Sequence, residues 1–201
     1  MYFDQINVLY GAIADHCTPQ SCPTMSAPLN NQFFWLDEKG KKCKFSASQY
    51  IDSVLTQTAK IISDESLFPT QVGYPFSSNF DSLVKKIHKN LFQILAHMYH
   101  SHYKELVHLK LNTYVNSIYF HLLMFSKSFN TLEDKDIDIM DSLNKSLMNK
   151  YMGDLTQQQQ AVLLNQQAPP TIHQPVISAP SSSSSSGFSF FKKKLNFNLM
   201  A

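Results

Sequence analysis

Apolar side chains recur every three or four positions through most of residues 80–130, and no other feature constrains the fold of this chain as tightly. In the first stretch, about 80–109, Phe80, Val84, Ile87, Leu91, Leu95, Met98 and His102 form one stripe at ~100° per residue. The second, 111–130, repeats it with Leu111, Val115, Ile118, Leu122, Phe125 and Phe129. Shorter segments carry the same period: Phe3, Ile6, Tyr10 and Ile13; Tyr50, Ile51, Val54, Leu55, Thr58, Ile61 and Ile62; and, over about 134–150, Ile137, Met140, Leu143 and Leu147. Five helices with one apolar face each must pack on one another. The expected class is therefore all-α, a helical bundle. Gln32–Leu36 and Lys42–Phe45, with Gly40 between them, predict one small β-hairpin. Ser46 or Ser48 is placed to cap the second helix.

The pattern stops near residue 155. Residues 156–201 hold no acid, the glutamine run 157–160, the serine run 181–186 and four prolines. Such a composition buries too little apolar surface to offset ordering entropy, so a folded domain over 1–155 and a disordered tail over 156–201 are expected. The tail's end, Phe188–Phe197, mixes aromatics with lysines and reads as an ordinary disordered end.

Composition removes several functions. The net charge is +2 and every basic residue is a lysine. Without a guanidinium there is no bidentate fork for phosphate or guanine, and a nucleic-acid binder is not expected. No apolar run approaches the ~18 residues of a membrane span. The start, MYFDQIN, does not read as a secretory signal, and three cysteines make no disulfide scaffold, so cytoplasm or nucleus is expected. There is no HExxH, Gly-rich phosphate loop or paired-carboxylate frame, and no catalytic residue is assigned.

The remaining chemistry lies in two cysteines and the histidines of the long helix. Cys17-x4-Cys22 follows the first helix; His97, His100 and His102 sit near the end of the third. Thiolate and imidazole are the donors that a tetrahedral zinc ion takes. On a helical wheel His100 lies about 160° from the apolar stripe, whereas His97 and His102 face inward. An i, i+5 pair is ~140° apart on an ideal helix, so convergence on one ion needs a local distortion. Spacing alone leaves two alternatives: a metal pinning the loop to the bundle, or two hydrogen-bonded histidines beside two core thiols.

Cys17-Thr-Pro-Gln-Ser-Cys22-Pro-Thr-Met25, Tyr50-Ile51-Asp52, Phe68-Pro69-Thr70, the run from Leu95 to Tyr103 and Phe129-Asn130 resemble the Mob (Mps-one-binder, kinase-activator) family over residues 3–150. The stretches from Trp35 to Lys42, from Asp81 to Ile87 and from Ile139 to Asp141 resemble the subgroup that binds NDR kinases. The resemblance implies a non-catalytic adaptor with one structural zinc, held by Cys17, Cys22, His97 and His102. Its partner would be the N-terminal regulatory segment of an NDR-type (AGC) serine/threonine kinase, facing Gln5, Val8 and His121. Relatives carry Lys-Arg-x-x-Arg as a phosphopeptide pocket; here the matching positions are Lys89, Asn90 and Gln93, a degenerate version. The family also usually continues upstream, whereas this chain starts partway into the first bundle helix. The alternative expectation is thus a scaffold or competitive inhibitor with reduced kinase docking.

Overall fold

The computed structural model describes residues 1–37 and 39–153. The expected boundary near 155 and the tail lie outside the described residues. Helix α1 (Tyr2–Ile13) is followed by two short hairpins, β1 (Met25–Ala27) with β2 (Asn31–Phe33) and β3 (Trp35–Leu36) with β4 (Lys42–Cys43). Then come α2 (Ala47–Ile62), α3 (Phe80–Ser101), α4 (Tyr103–His108), α5 (Asn112–Phe129) and α6 (Asp134–Ile137). A 3-10 turn, Asp138–Met140, leads into further helix over 141–153. The chain is mostly helical.

Helix α3 is the centre. It contacts α1, α2, α5 and β1. Its middle is covered on all sides: Leu91, Phe92 and every residue from Ile94 to Met98 are buried. One stripe would have sufficed against one neighbour; four neighbours require apolar or hydrogen-bonded side chains around the whole circumference. Around it α1 contributes Ile6, Leu9, Tyr10 and Ile13, α2 Ile51, Val54 and Leu55, and α5 Val115, Ile118, Tyr119, Leu122 and Leu123. The helix ends follow local chemistry. Ser46 caps α2 in a reciprocal box with Gln49, whose backbone N–H donates to Ser46 Oγ while Gln49 Oε1 accepts from the Ser46 N–H. Asn130 ends α5 in the left-handed region, at φ 51, which a short polar side chain tolerates.

Three expectations are corrected. The helix expected over 80–109 is two helices, because His102 (φ −129, ψ 16) leaves the helical region. The last helix is broken by the 3-10 turn at Asp138–Met140. The single hairpin is two: Gln32 pairs with Ser26 in β2, and only Trp35–Leu36 pairs with Lys42–Cys43. The first hairpin turns through Leu29 and Asn30, both at positive φ, as a tight I′ turn requires. Leucine does not signal such a turn, so the sequence hid it.

Candidate metal centre

The two cysteines are positioned by backbone bonds before any ion is considered. The Cys17 N–H donates to the carbonyls of Ile13 (3.2 Å) and Ala14 (3.1 Å), which continues α1 by a turn. The next bend is built from short polar side chains: Ser21 Oγ donates to the His16 carbonyl (2.6 Å) and accepts from the Thr18 N–H (2.9 Å). The Cys22 carbonyl accepts from the Ala47 N–H at 3.0 Å, which ties the bend to the start of α2.

The histidines come from the end of α3 and its break. His97 is on the last full turns of the helix, while His102 has left it. This departure supplies the distortion that the ~140° offset of an i, i+5 pair demands. The result is a closed cluster of Cys17, Cys22, His97 and His102, whose donor atoms all lie within 4.8 Å of one another. Cys17 Sγ is 3.6 Å from His97 Nε2, and Cys22 Sγ is 3.4 Å from His102 Nε2. Exposures of 1%, 7%, 0% and 3% exclude bulk water from all four. The His97 Nδ1 donates to the Ser26 carbonyl at 2.8 Å, a contact that an oxygen acceptor allows only if Nδ1 carries the proton. The β1 backbone thereby fixes the tautomer and turns the Nε2 lone pair toward Cys17.

Electrostatics point the same way. Burial pushes the Cys17 thiol up to about 12, with the nearby Cys22 and Asp52 adding to the effect. Burial brings His97 down to about 4, and it also lowers His102, against the pull of the Glu105 carboxylate. On its own, then, the site favours a neutral Cys17 thiol and neutral imidazoles. A dication reverses that preference at the sulfurs, because it compensates the thiolates where water cannot. Two sulfurs and two imidazole nitrogens close enough to share one centre can hold a metal ion. Beside them Glu105 has a buried Oε2 without a hydrogen-bond partner.

The cluster is held by a helix end, a bend and a broken helix, and comparison with known proteins places the chain that carries it. Residues 1–140 match the Mob1/phocein family. The chain belongs to that family. It is 44% identical over 146 residues to the human protein named MOB kinase activator 2, an overlap of 73% of this chain and 61% of the relative. The Drosophila melanogaster MOB kinase activator-like 2 is 39% identical over 145 residues, 72% of this chain and 26% of the relative. The fission-yeast protein named Maintenance of ploidy protein mob2 is 40% identical over 148 residues, covering 74% and 61% respectively. The chain therefore spans less than two thirds of the length of these Mob relatives.

The other sequence-derived positions of this Mob protein fall as follows. His100 is exposed and outside the cluster. Val8 is 65% exposed on α1, Gln5 is half-buried on the same helix, and His121 is exposed on α5. A hydrogen bond from Tyr2 Oη to the His121 carbonyl (3.2 Å) links these two helices. The degenerate pocket is not an open polar stripe. Lys89 Nζ pairs with Asp136 Oδ2 at 2.9 Å, and Gln93 Oε1 accepts from Tyr50 Oη at 2.6 Å. Sequence reasoning missed the Asp136 contact, since Asp136 and Lys89 lie on separate elements. It also missed Glu105, for which the only signal was a carboxylate three residues after His102.

Proposed function

We propose that this Mob protein is a non-catalytic adaptor: a helical bundle stapled by one zinc ion, which binds the N-terminal regulatory segment of an NDR-type serine/threonine kinase and regulates it. Zinc is the ion that suits the donor set. With Zn–S near 2.3 Å and Zn–N near 2.0–2.1 Å, a tetrahedron has S···N edges of about 3.6 Å. The two Sγ–Nε2 separations, 3.6 Å and 3.4 Å, are of this length. Four protein donors leave no open position for substrate or activated water, so the ion's role is structural. Zinc thiolates of this kind suit a reducing compartment, and the reading puts the chain in cytoplasm or nucleus.

The kinase reading is carried by one observation, the 44% identity to a protein named as a kinase activator. Gln5, Val8 and His121 are the positions assigned to the kinase segment. The test is a pull-down of the full chain by the N-terminal segment of an NDR-type kinase, followed by an assay of the kinase with and without the chain. Capture that falls when Val8 is replaced by Asp, together with a change in kinase activity, is expected. No capture overturns the reading. Capture that blocks a known activator without stimulating the kinase supports a competing scaffold instead.

A further inference from the structure

The second hairpin breaks the rule that a one-sided sheet shows polar residues to water. Its inner face is ordinary. Trp35, paired with Cys43, stacks against Phe45 (6.1 Å between ring centroids) and meets Tyr50 of α2 edge-on (6.0 Å). Side chains alternate along a strand, so Leu36 points the other way, and Phe34, just before β3, lies beside Lys42 on that outer side. Phe34 and Leu36 are 42% and 57% exposed. Lys42, the cross-strand partner of Leu36, shares that face, and its Nζ lies 5.6 Å from the centre of the Phe34 ring. Lys44 follows two residues on, just past β4. Lys39 and Lys41 flank the tip at Gly40, and all four lysines are exposed.

The tip is set by Asp37, whose Oδ1 accepts from the backbone N–H groups of Lys39 (2.9 Å) and Lys41 (2.8 Å). Its charge is turned toward the backbone of the loop. Among the described residues none of the four lysines forms an ion pair: the salt bridges involve Lys89, Lys135, Lys145 and the N-terminus. The outer face thus combines two exposed apolar side chains with a hairpin whose four lysines outnumber its two acids, Asp37 and Glu38.

We propose that this face, formed by Phe34, Leu36, Lys42 and Lys44 with Lys39 and Lys41 at the tip, is a docking surface for an anionic lipid bilayer. The combination selects that occupant. Lysines are hydrated point charges on flexible stems; they suit a fluid layer of negative headgroups better than fixed carboxylates or phosphates, which favour guanidinium forks. Exposed Leu and Phe among them reach the boundary of the acyl chains while the lysine stems lie along it. A purely acidic partner surface has no use for Leu36. The proposal is independent of the kinase reading.

The test is co-sedimentation of the full chain with vesicles of phosphatidylcholine alone and of phosphatidylcholine with phosphatidylserine. Partitioning onto the anionic vesicles is expected to exceed that onto the neutral ones about tenfold at moderate salt, and to vanish at high salt. Lys42→Glu with Lys44→Glu, and separately Phe34→Ser with Leu36→Ser, should each lower partitioning about fivefold or more. Thermal melting checks that both variants fold; Leu36→Ser alone, at the more exposed site, is the fallback. Equal partitioning onto neutral and anionic vesicles overturns the proposal. So does a loss confined to the lysine variant, which is the behaviour of an acidic protein site. Binding unchanged in both variants assigns it to another segment, such as Phe188–Phe197, and overturns it as well.

Discussion

Replacing His97 by alanine should cost far more stability than replacing His100, three residues away on the same helix. His97 is fully buried, faces Cys17 at 3.6 Å and donates to Ser26 at 2.8 Å. His100 is exposed. A structural zinc contributes ~10–16 kcal/mol of apparent binding free energy, or ~2.5–4 kcal/mol for each of four ligands if shared evenly. For a chain of this size each kcal/mol moves the melting temperature about 2–4 °C, so His97→Ala should lower it by about 5–16 °C. An exposed substitution stays within ~0.5 kcal/mol, which places His100→Ala within about 2 °C of the natural protein. The assay is thermal melting followed by helical circular dichroism, with and without a zinc chelator, alongside metal analysis. Chelation should lower the natural protein by more than His97→Ala does, and should lower that variant further as well, because three donors remain to hold the ion. A chelator without effect, or equal losses at the two histidines, refutes the metal assignment.

Three further outcomes follow from particular contacts. Asp136→Asn frees Lys89 and should strengthen binding of a phosphothreonine peptide up to about fivefold, the worth of a ~1 kcal/mol ion pair, measured by fluorescence polarisation; unchanged binding means that Lys89 does not reach the phosphate. His88 is buried and its Nε2–H donates to Ser126 Oγ at 3.0 Å, and burial lowers its pKa. The unfolded chain therefore takes up the proton first as pH falls through its ordinary value near 6.5. Stability is full above that pH and declines below it, and His88→Phe should flatten part of the decline in melts from pH 7.5 to 5. Glu105→Ala removes the carboxylate beside His102 and should weaken zinc about tenfold in competition with a chromophoric chelator, with Glu105→Gln intermediate; equal affinities would make the buried Oε2 irrelevant to the ion.

Helices α1, α2 and α5 were legible because each faces the core with one side, and a one-sided helix writes its period into the sequence. The cap at Ser46 was legible for a similar reason, since capping is local. What the sequence hid was non-local or locally unsignalled. The break at His102 has no glycine or proline beside it; only the angular mismatch between His97 and His102 pointed to a distortion. The first hairpin turns on Leu29-Asn30, without the glycine that marks such turns, and its strands are only three residues long. Lys89 read only as a remnant of the pocket because its partner, Asp136, arrives from a separate helix, α6.

The position of the cluster says which part of the fold it holds. Among the described residues between α1 and α2 there is no helix, and the buried ones up to Phe45 are Cys17, Cys22, Met25 and Ala27. Two of those four are the cysteines of the cluster. Helices α3 and α5, by contrast, contact each other directly, with the Tyr119 ring 6.0 Å from that of Phe92 and 5.4 Å from that of Tyr99, and need no ion to stay in contact. Removing the metal should therefore loosen residues 14–33 before it loosens the helical core. Met25 and Ala27 still pack on α3, but two buried thiols and two buried imidazoles lose their common centre. Hydrogen exchange after mild chelation reads this directly. Faster exchange is expected at Cys22, whose N–H bonds Thr18 at 2.8 Å, and at Ala47, whose N–H bonds the Cys22 carbonyl at 3.0 Å. Amides of Val115–Leu123 should keep their protection. Uniform acceleration across both regions would mean that the metal supports the whole core rather than the segment it pins, and that the loop and α5 unfold as one unit.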